Sequence, residues 1–289
     1  MQARAPQSNH GVLRCPVCRT NLRPRGRSLT CEAGHSFDLA RSGYVNLAIG
    51  RRRPPAGGGD TRQQLDRRHT FLAGGHFDFI AEAIACHAHA RLPGRPLTVL
   101  DAGCGTGHHL AEVVKRIALR RNLVPTGVGL DLSKDAAGCS ARKHPTMTFA
   151  VADIWAEWPV HSASVDLVVS VFAPKNFAEM ARVLRPGGLL AMAFPGETHL
   201  VELRRDFRLM GLRPGKAEIY AERLRSLLGS PVRRRLRRGI ELDRNDVTNL
   251  VMMGPNARHP VDGTGDADEG RRPVSFDVEL VFSGKPTND

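Results

Sequence analysis

Hydrophobic runs are short in this sequence, and none approaches the roughly 18 residues that a membrane-spanning helix requires. The first residues, MQARAPQSNHG, also lack the apolar stretch of a secretory signal. These two absences argue against a membrane partner and against secretion. We therefore expect a soluble, cytoplasmic protein, whose 289 residues suffice for one large domain and one small one.

Cysteine is scarce, with six residues in the whole chain, which does not suggest a disulfide scaffold. In a reducing compartment a clustered subset of cysteines indicates a metal site instead. Three of the six lie within residues 13–37 and are followed by a histidine, in the spacing C-x2-C-x12-C-x3-H. This spacing predicts a zinc site formed by Cys15, Cys18, Cys31 and His35. Four protein ligands leave no open coordination position, so the zinc is expected to be structural.

Lysine is scarce as well, since only six of the 42 basic residues are lysines and the net charge of +13 depends on arginine. Arginine binds phosphate and stacks on bases, which suits a nucleic-acid partner. A GC-rich genome would also enrich arginine, but it would not distribute the charge unevenly. Residues 1–72 contain 13 basic and 4 acidic residues and residues 202–245 contain 13 and 6, whereas residues 73–201 contain 12 and 11. The sequence therefore predicts two basic faces beside a neutral catalytic core.

Three basic segments are candidates for phosphate contacts. The zinc segment carries arginines at positions 14, 19, 23, 25 and 27. Residues Arg233–Arg238 contain five arginines in six positions, for which a solvated helix or strand face is the alternative. Residues 51–59, RRRPPAGGG, are either a basic linker that orders on binding or a simple spacer.

From residue 97 onward, strands and helices alternate. A short buried strand ends in the glycine-rich turn Asp101–Gly107, and a helix follows from His108 to Ala118. This order is the first unit of a doubly wound α/β sheet. The strands predicted are Leu97–Leu100, Val128–Asp131, Met147–Val151, Val165–Val171 and Leu189–Phe194.

Acidic residues at the strand ends narrow the choice of ligand. The glycine turn is D-x-G-x-G-x-G and not the dinucleotide pattern G-x-G-x-x-G. Asp131 ends the second strand, where it could accept both ribose hydroxyls, and Asp153 follows the third, where it could bind an adenine amino group. A helix cap and a loop acid are the alternatives. With the later R-x-L-R-P-G-G motif, the series resembles the class I S-adenosylmethionine-dependent methyltransferases, which implies a Rossmann-like fold behind a small N-terminal zinc-binding domain.

The acceptor loop of this fold follows the fourth strand, and here it reads Phe172–Asn176, F-A-P-K-N. It is not the N/D-P-P-Y/F signature expected for exocyclic amines of bases. Phe172 and Pro174 could shape a base pocket, although core packing is as good an explanation for Phe172. Asn176 could read a base edge.

Motifs along nearly the whole chain, from Cys15 to about Val281, point to one family. They run in the order C-P-x-C, C-x3-H-x-F-D, G-Y-V-N-L, G-D, F-L-x-x-G-H, D-x-G-x-G-x-G, F-A-P-x-N, R-x-L-R-P-G-G and P-x-x-x-H-L. The set resembles the 23S rRNA guanine-N1-methyltransferases that carry a zinc ribbon. Within them, it is similar to the branch that confers resistance to tylosin- and mycinamicin-type macrolides.

The resemblance implies methylation of N1 of a loop guanine in hairpin 35 of 23S rRNA, and a homodimer whose zinc modules hold the RNA. It implies S-adenosylmethionine as cofactor beside a structural Zn²⁺. Phe77 stands where relatives carry a tyrosine, and relatives carry a tryptophan near Ala257 that is missing here. The cofactor-binding residues it implies, together with the acids placed above, are Phe77, Asp101, Gly103, Gly105, Thr106, Gly107, His108, Asp131, Asp153 and His199.

Three segments are expected: a zinc-binding, RNA-recognition domain at 1–50, a basic linker with a connecting helix at 51–80, and the methyltransferase domain at 81–289. A methyltransferase of a macrolide or another small molecule is the main alternative, although it needs neither the zinc site nor the basic faces. A non-catalytic, zinc-dependent nucleic-acid binder is a third hypothesis, against which the intact glycine turn and Asp131 argue. No residue is forced by spacing into the role of general base, and residues 262–272 are given no role.

Overall fold

The computed structural model describes residues 10–50, 60–212, 215–254 and 270–287 of the chain. The predicted linker at residues 51–59 lies outside the described residues, as do the position near Ala257 and most of the 262–272 segment. Within the part described, no helix is both long enough and apolar enough to cross a membrane.

The zinc segment folds around short strands that are tightly connected. Gly26, with a φ of +61°, makes the turn of the first hairpin possible. Leu29 is fully buried in the middle strand and, with Leu22, forms a small core beside the cysteines. The elements are a 3-10 helix at His10–Val12 and an antiparallel three-stranded sheet of β1 (Arg23–Arg25), β2 (Ser28–Thr30) and β3 (Ser36–Asp38).

Two helices, rather than one, connect the zinc segment to the first strand of the large domain. Helix α1 (Arg62–Ala73) begins at a capping box in which Thr61 and Gln64 satisfy each other's backbone N–H groups. It ends at the glycine pair that follows Ala73, and helix α2 (Asp78–Arg91) starts after it. The φ of +74° at Gly75 cannot continue an α-helix, so the break is set by the sequence.

The large domain is a doubly wound sheet, as predicted. Its strands are β4 (Val45–Asn46), β5 (Thr98–Ala102), β6 (Thr126–Asp131), β7 (Thr148–Val151), β8 (Val165–Val171), β9 (Leu184–Pro195), β10 (Val232–Leu242) and β11 (Arg272–Gly284). They are ordered β10-β11-β9-β8-β5-β6-β7-β4, and β11 is antiparallel to both of its neighbours. The strand order reverses beside β5, so the carboxyl ends of β5 and β8 open a crevice of the kind that binds ligands in α/β sheets. The helices that follow are α3 (His108–Arg121), α4 (Lys134–Lys143), α5 (Phe177–Val183), α6 (Val201–Asp206), α7 (Lys216–Arg225) and α8 (Arg244–Met252).

Each face of the sheet carries its own apolar core, because strand side chains alternate between faces. In β8, Leu167 and Val169 pack against the core on the side of α2, α3 and α8, whereas Val168 packs on the side of α5 and α7. The second core also contains Leu13 and Leu29 of the zinc segment. The zinc segment is therefore packed on the catalytic domain.

The short strand that follows the zinc site, within the G-Y-V-N-L motif, is part of the main sheet. Strand β4 pairs in parallel with β7, with Val45 opposite Ala150. A second connection lies near the first cysteine, where Leu13 and Val160 form an antiparallel bridge and the Arg14 N–H donates to the Pro159 carbonyl over 3.0 Å. The two units thus share backbone hydrogen bonds at both ends of the zinc segment.

We expect Gly129→Ala to lower the free energy of unfolding by about 1–3 kcal/mol, as overpacking does in a tight core. A Cβ at Gly129, in the middle of the sheet, would lie 2.6 Å from the Phe149 ring and 2.8 Å from Cys104 Sγ. The matched change Gly239→Ala on β10, where a Cβ would meet no atom within 4 Å, should alter it by less than about 0.5 kcal/mol. Urea denaturation of both variants is the measurement, and equal losses would contradict this account of the packing.

Candidate functional site

The glycine-rich turn lies between β5 and α3, at the carboxyl edge of the sheet. Gly103, Gly105 and Gly107 have φ values of +81°, +54° and +76°, all in the left-handed region that favours glycine. A Cβ at Gly103 would be 2.6 Å from the Cβ of Ala173, so no larger residue fits beside the acceptor loop. Without side chains at these positions, the backbone of the turn can approach a ligand closely at the mouth of the crevice. The N–H groups of Gly103, Cys104 and Gly107 are already bonded to carbonyls of the protein.

Asp131, at the end of β6, holds this turn. Its Oδ2 accepts a hydrogen bond from the Gly105 N–H over 2.8 Å, and its Oδ1 accepts one from the Ser133 N–H over 2.9 Å. Burial raises the pKa of Asp131, and the two backbone donors oppose that rise. Each carboxylate oxygen keeps a further acceptor position. Two neighbouring ribose hydroxyls fit such a pair of acceptors.

Asp101 and Lys175 are two buried ionisable groups near the glycine turn that influence each other electrostatically without forming an ion pair. Burial raises the pKa of Asp101 to about 7. It also lowers the pKa of Lys175 to about 7. The Lys175 ammonium donates to the Ser170 carbonyl, the Ser170 hydroxyl and the Ala173 carbonyl over 3.1, 3.0 and 2.7 Å. Asp101 Oδ1, in contrast, has no hydrogen-bond partner among the described residues. A buried acceptor without a partner suits the ammonium group of an amino-acid ligand.

Aromatic rings cover the acceptor side of the crevice. The ring centroids of Phe77, Phe172 and His199 lie 5.6 to 6.1 Å from one another. Phe172 is 40% exposed and has a φ of +50°, which is unusual for an aromatic residue. Its exposed ring, just after β8, can serve as a stacking platform for a base.

His199 has a fixed tautomer when it is neutral. Its Nδ1 accepts a hydrogen bond from the Asp277 N–H over 3.3 Å, so Nε2 carries the ring proton. Burial lowers the pKa of His199 to about 4, which keeps the ring neutral at physiological pH. In this state Nε2 can donate a hydrogen bond but cannot accept a proton.

The remaining predicted cofactor residues are close by but face different partners. Thr106 is buried within the turn. His108 begins α3, and its Nε2 lies 3.3 Å from Asp78 Oδ1, so it faces α2. Asp153 lies two residues beyond β7, and its Oδ1 accepts a hydrogen bond from the Trp155 N–H over 2.9 Å. Its turn leaves the other carboxylate oxygen available to a ligand.

The prediction that Asn176 reads a base edge is wrong. Its Nδ2 donates to the Ile154 and Ala156 carbonyls over 3.1 and 3.2 Å, and its Oδ1 accepts from the Glu179 N–H over 3.3 Å. The side chain therefore caps α5 and ties it to the loop after β7. Its hydrogen-bonding groups are occupied by the fold.

The four predicted metal ligands come together. The ligand atoms of Cys15, Cys18, Cys31 and His35 all lie within 4.8 Å of one another. Cys31 Sγ is 3.3 Å from His35 Nδ1 and 3.5 Å from Cys18 Sγ. Separations of this size suit the edges of a tetrahedron around Zn²⁺, since Zn–S bonds are about 2.3 Å and Zn–N bonds about 2.0 Å. Three sulfurs and one nitrogen fill the four positions, which fits a structural zinc.

Several arginines of the zinc segment have other partners than those expected. Arg14 is buried, and its guanidinium pairs with Glu157 over 2.5 Å; Arg19 pairs with the same carboxylate over 2.9 Å. The expectation that these two hold RNA phosphates is wrong for Arg14, because its charge is used to attach the zinc segment to the catalytic domain. Arg25 and Arg27 remain exposed and form no ion pair with a described residue.

The arginine run at 233–238 lies on β10 and is largely neutralised. Arg235 forms two hydrogen bonds with the buried Asp277, over 2.8 and 2.6 Å. Arg233 pairs with Glu218 and with Glu279, and Arg237 lies 3.7 Å from Asp277. The Arg235 guanidinium holds the pKa of Asp277 well below its usual range. The prediction that this run contacts phosphate is therefore wrong for Arg235, because its guanidinium is already bonded to the Asp277 carboxylate.

Sequence reasoning missed two residues that shape the crevice. In the sequence, Lys175 is distinguished from the rest of the acceptor loop only by the rarity of lysine among the basic residues. Arg68, on α1, lies over the glycine turn, with its Nη1 3.2 Å from the position of a Cβ on Gly105. It pairs with Asp60 and donates to the Met253 carbonyl over 2.7 Å. No local pattern connects α1 to a turn some 35 residues later, so this contact is visible only in the fold.

We expect Asp101→Asn to stabilise the ligand-free protein at pH 8 by about 1–3 kcal/mol. The folded-state pKa is raised to about 7, so the folded state binds a proton more tightly than the unfolded state. Stability therefore falls as the pH rises from about 4 to about 7, and asparagine removes that loss. Lys175 loses the favourable charge of Asp101, which limits the gain.

Urea denaturation at pH 5 and pH 8 tests this effect of Asp101. The increase in the free energy of unfolding caused by Asp101→Asn should be larger at pH 8 than at pH 5. Asp38→Asn, at an exposed position, is the control and should show no such difference. A variant that is destabilised more at pH 8 than at pH 5 would contradict the assignment.

Two family models match the chain. One, described as RlmA, N-terminal, is a zinc ribbon that matches residues 13–48, and the other is a methyltransferase domain that matches residues 99–188. The chain is also similar to a solved structure, the YcgJ protein of Bacillus subtilis, with a TM-score of 0.50 and 12% identity over 73% of this chain and 99% of that one. A likeness at this identity shows the fold alone.

Two relatives are similar to this chain over most of its length. A protein of Micromonospora griseorubida, provisionally described as a 23S rRNA (guanine-N1-)-methyltransferase, is 41% identical over 86% of this chain and 87% of its own length. The 23S rRNA (guanine(748)-N1)-methyltransferase of Streptomyces fradiae is 40% identical over 86% of each chain. The predicted fold, cofactor and zinc site agree with the two family models. The chain therefore belongs to the zinc-ribbon family of S-adenosylmethionine-dependent 23S rRNA (guanine-N1-)-methyltransferases.

Proposed function

We propose that this enzyme transfers a methyl group to N1 of a guanine in the hairpin 35 loop of 23S rRNA. We propose further that the modification confers resistance to macrolides such as mycinamicin or tylosin. The observation that carries the proposal is the similarity to the Streptomyces fradiae enzyme, which covers 86% of each chain and whose name specifies guanine 748. The resistance rests on the family resemblance of the sequence motifs.

The cofactor site follows from the residues at the carboxyl edge of the sheet. The S-adenosylmethionine sulfonium supplies an activated methyl group when it is bound. We assign the ribose hydroxyls to Asp131, the adenine to Asp153 and the amino-acid end to the region of Asp101. The other proposed contacts are Phe77, Gly103, Gly105, Thr106, Gly107, His108 and His199.

The guanine is proposed to stack on Phe172. A base that has been turned out of an RNA loop can stack on an exposed ring. The His199 ring lies 5.7 Å from that of Phe172 and offers an N–H donor, so it can orient the base through an acceptor such as a carbonyl oxygen. Guanine N1 must lose its proton during transfer, and the fixed tautomer of His199 rules it out as the group that accepts this proton.

The other parts of the proposal concern organisation. We propose residues 1–50 as the RNA-recognition unit, with Arg25 and Arg27 as its exposed phosphate contacts, residues 51–80 as the connection and residues 81–289 as the catalytic unit. We propose a homodimer, and cytoplasmic action where ribosomes are found. A small-molecule methyltransferase has less support, because it would give the zinc centre and the near full-length similarity to rRNA enzymes no explanation.

Primer extension on 23S rRNA is the test of the modified position. N1-methylguanine cannot form a Watson–Crick pair, so reverse transcriptase should stop one nucleotide before it. We expect a new stop in the hairpin 35 loop in cells that express the enzyme and none in cells that express a cofactor-site variant. A new stop elsewhere would overturn the assignment of the methylated guanine to hairpin 35. If cells that express the enzyme tolerate no more macrolide than cells without it, the proposed resistance is overturned.

We expect Asp131→Ala to abolish methyl transfer to 23S rRNA. The change removes the proposed ribose acceptor together with the acceptor of the Gly105 N–H, so S-adenosylmethionine binding measured by calorimetry should weaken by about 100-fold or more, as for a lost charge-assisted hydrogen-bond pair. Asp38→Asn, on the small sheet of the zinc segment, should leave cofactor binding unchanged. Undiminished transfer by Asp131→Ala would overturn the cofactor assignment.

A further inference from the structure

Several of the arginines that stand out in the sequence are paired with acids in the described part of the fold. Glu157 neutralises Arg14 and Arg19, and Asp277 neutralises Arg235. A phosphate would have to displace these carboxylates before it could bind there. The candidates for RNA contacts are therefore the cations that the fold leaves without a carboxylate partner.

Four such cations converge on one cavity. It has a volume of about 550 Å³ and lies between the chain that leaves β3, helix α1 and helix α4. We call it the α1–α4 cleft. Its lining includes Arg41, Arg62, Lys134 and Arg142. All four are exposed, and none forms an ion pair with another residue in the described ranges.

The charge of the cleft is positive, although two acids also line it. Asp66, on α1, and Asp135, in the first turn of α4, leave an excess of two positive charges. Asp135 lies at the helix N-terminus, where the helix dipole already favours a carboxylate. Ser42 and Tyr44 add hydroxyl groups to the lining, and these can donate to phosphate oxygens.

The cleft lies between the zinc ribbon and the cofactor crevice. Residues 40–44 follow β3 of the zinc segment directly, and Gly138 of α4 packs against them, since a Cβ there would be 3.5 Å from both Ser42 and Tyr44. Helix α4 begins just after Asp131, at the Ser133 cap. Helix α1 borders the cleft and also carries Arg68 over the glycine turn. The same two helices therefore border both the cleft and the crevice.

We propose that the α1–α4 cleft binds the phosphodiester backbone of the substrate RNA next to the nucleotide that is methylated. The proposal rests on 23S rRNA as the substrate, but not on which guanine is modified. Arginine can bind two oxygens of one phosphate, so Arg62 and Arg142 can each hold a phosphate on opposite walls of the cleft. Phosphate contacts of this kind fix the position of the strand beside the crevice, and they do so without reading its bases.

The test is a charge-removal variant with a matched control. Arg62→Gln combined with Arg142→Gln removes two cleft charges. Arg91→Gln combined with Arg223→Gln removes two exposed charges, also without an ion pair among the described residues, from the last turns of α2 and α7. Affinity for protein-free 23S rRNA is measured for both over a series of salt concentrations, and S-adenosylmethionine binding is measured by calorimetry.

We expect the cleft variant to lose RNA affinity about tenfold or more and to bind the cofactor as tightly as the unmodified enzyme. The slope of log affinity against log salt should fall by about 0.7 for each lost phosphate contact with a single strand. Its methyl transfer should show a raised KM for RNA with little change in kcat, and the control variant should match the unmodified enzyme in all of these measurements.

Unchanged affinity and salt slope in the cleft variant, or an equal loss in the control, would overturn the proposal. A primer-extension stop at another guanine would overturn the hairpin 35 assignment and leave the comparison of the two variants valid. The two failures are therefore distinguishable.

Discussion

The hydrogen bond from the Gly105 N–H to the Asp131 carboxylate is the contact on which the cofactor site depends. It joins the turn after β5 to the end of β6, with an N···O distance of 2.8 Å. The Gly105 carbonyl is held from the other side by the Ser140 hydroxyl of α4, over 2.7 Å. Because both polar groups of this residue are fixed by the protein, the turn keeps its shape without a ligand, and little conformational entropy is lost when a ligand binds.

The sequence predicts the parts of the fold that depend on neighbours along the chain. The strand over Val165–Val171 and the glycine turn follow from local hydrophobicity and from glycine spacing, and the zinc ligands follow from their separations. Contacts between distant segments could not be predicted. The partner of Arg14 is 143 residues away, and that of Arg235 is 42 residues away. The charge runs therefore suggest RNA contacts, whereas the fold pairs several of the same side chains with acids from distant segments, among them the buried Asp277.

The arginine run on β10 has a role that its sequence does not show. Strand β10 ends the sheet, so one of its edges carries backbone groups that no described strand satisfies. An uncharged edge of 11 residues would invite pairing with another chain. Charged side chains along it oppose such pairing, and the acids of β11 beneath them keep three of the guanidinium groups in place. The run thus protects the edge of the sheet in addition to any role in RNA binding.

Strand β4 connects the metal site to the catalytic fold. It follows the zinc ribbon in the chain and pairs with β7, which ends two residues before Asp153. The ribbon and the sheet therefore share a structural element. Zinc binding supplies the folding free energy of so small a ribbon. Any ligand that binds only the folded state stabilises everything that folds with it. The two folding equilibria are therefore linked, and zinc bound at the ribbon also stabilises the strand β7 that leads to Asp153.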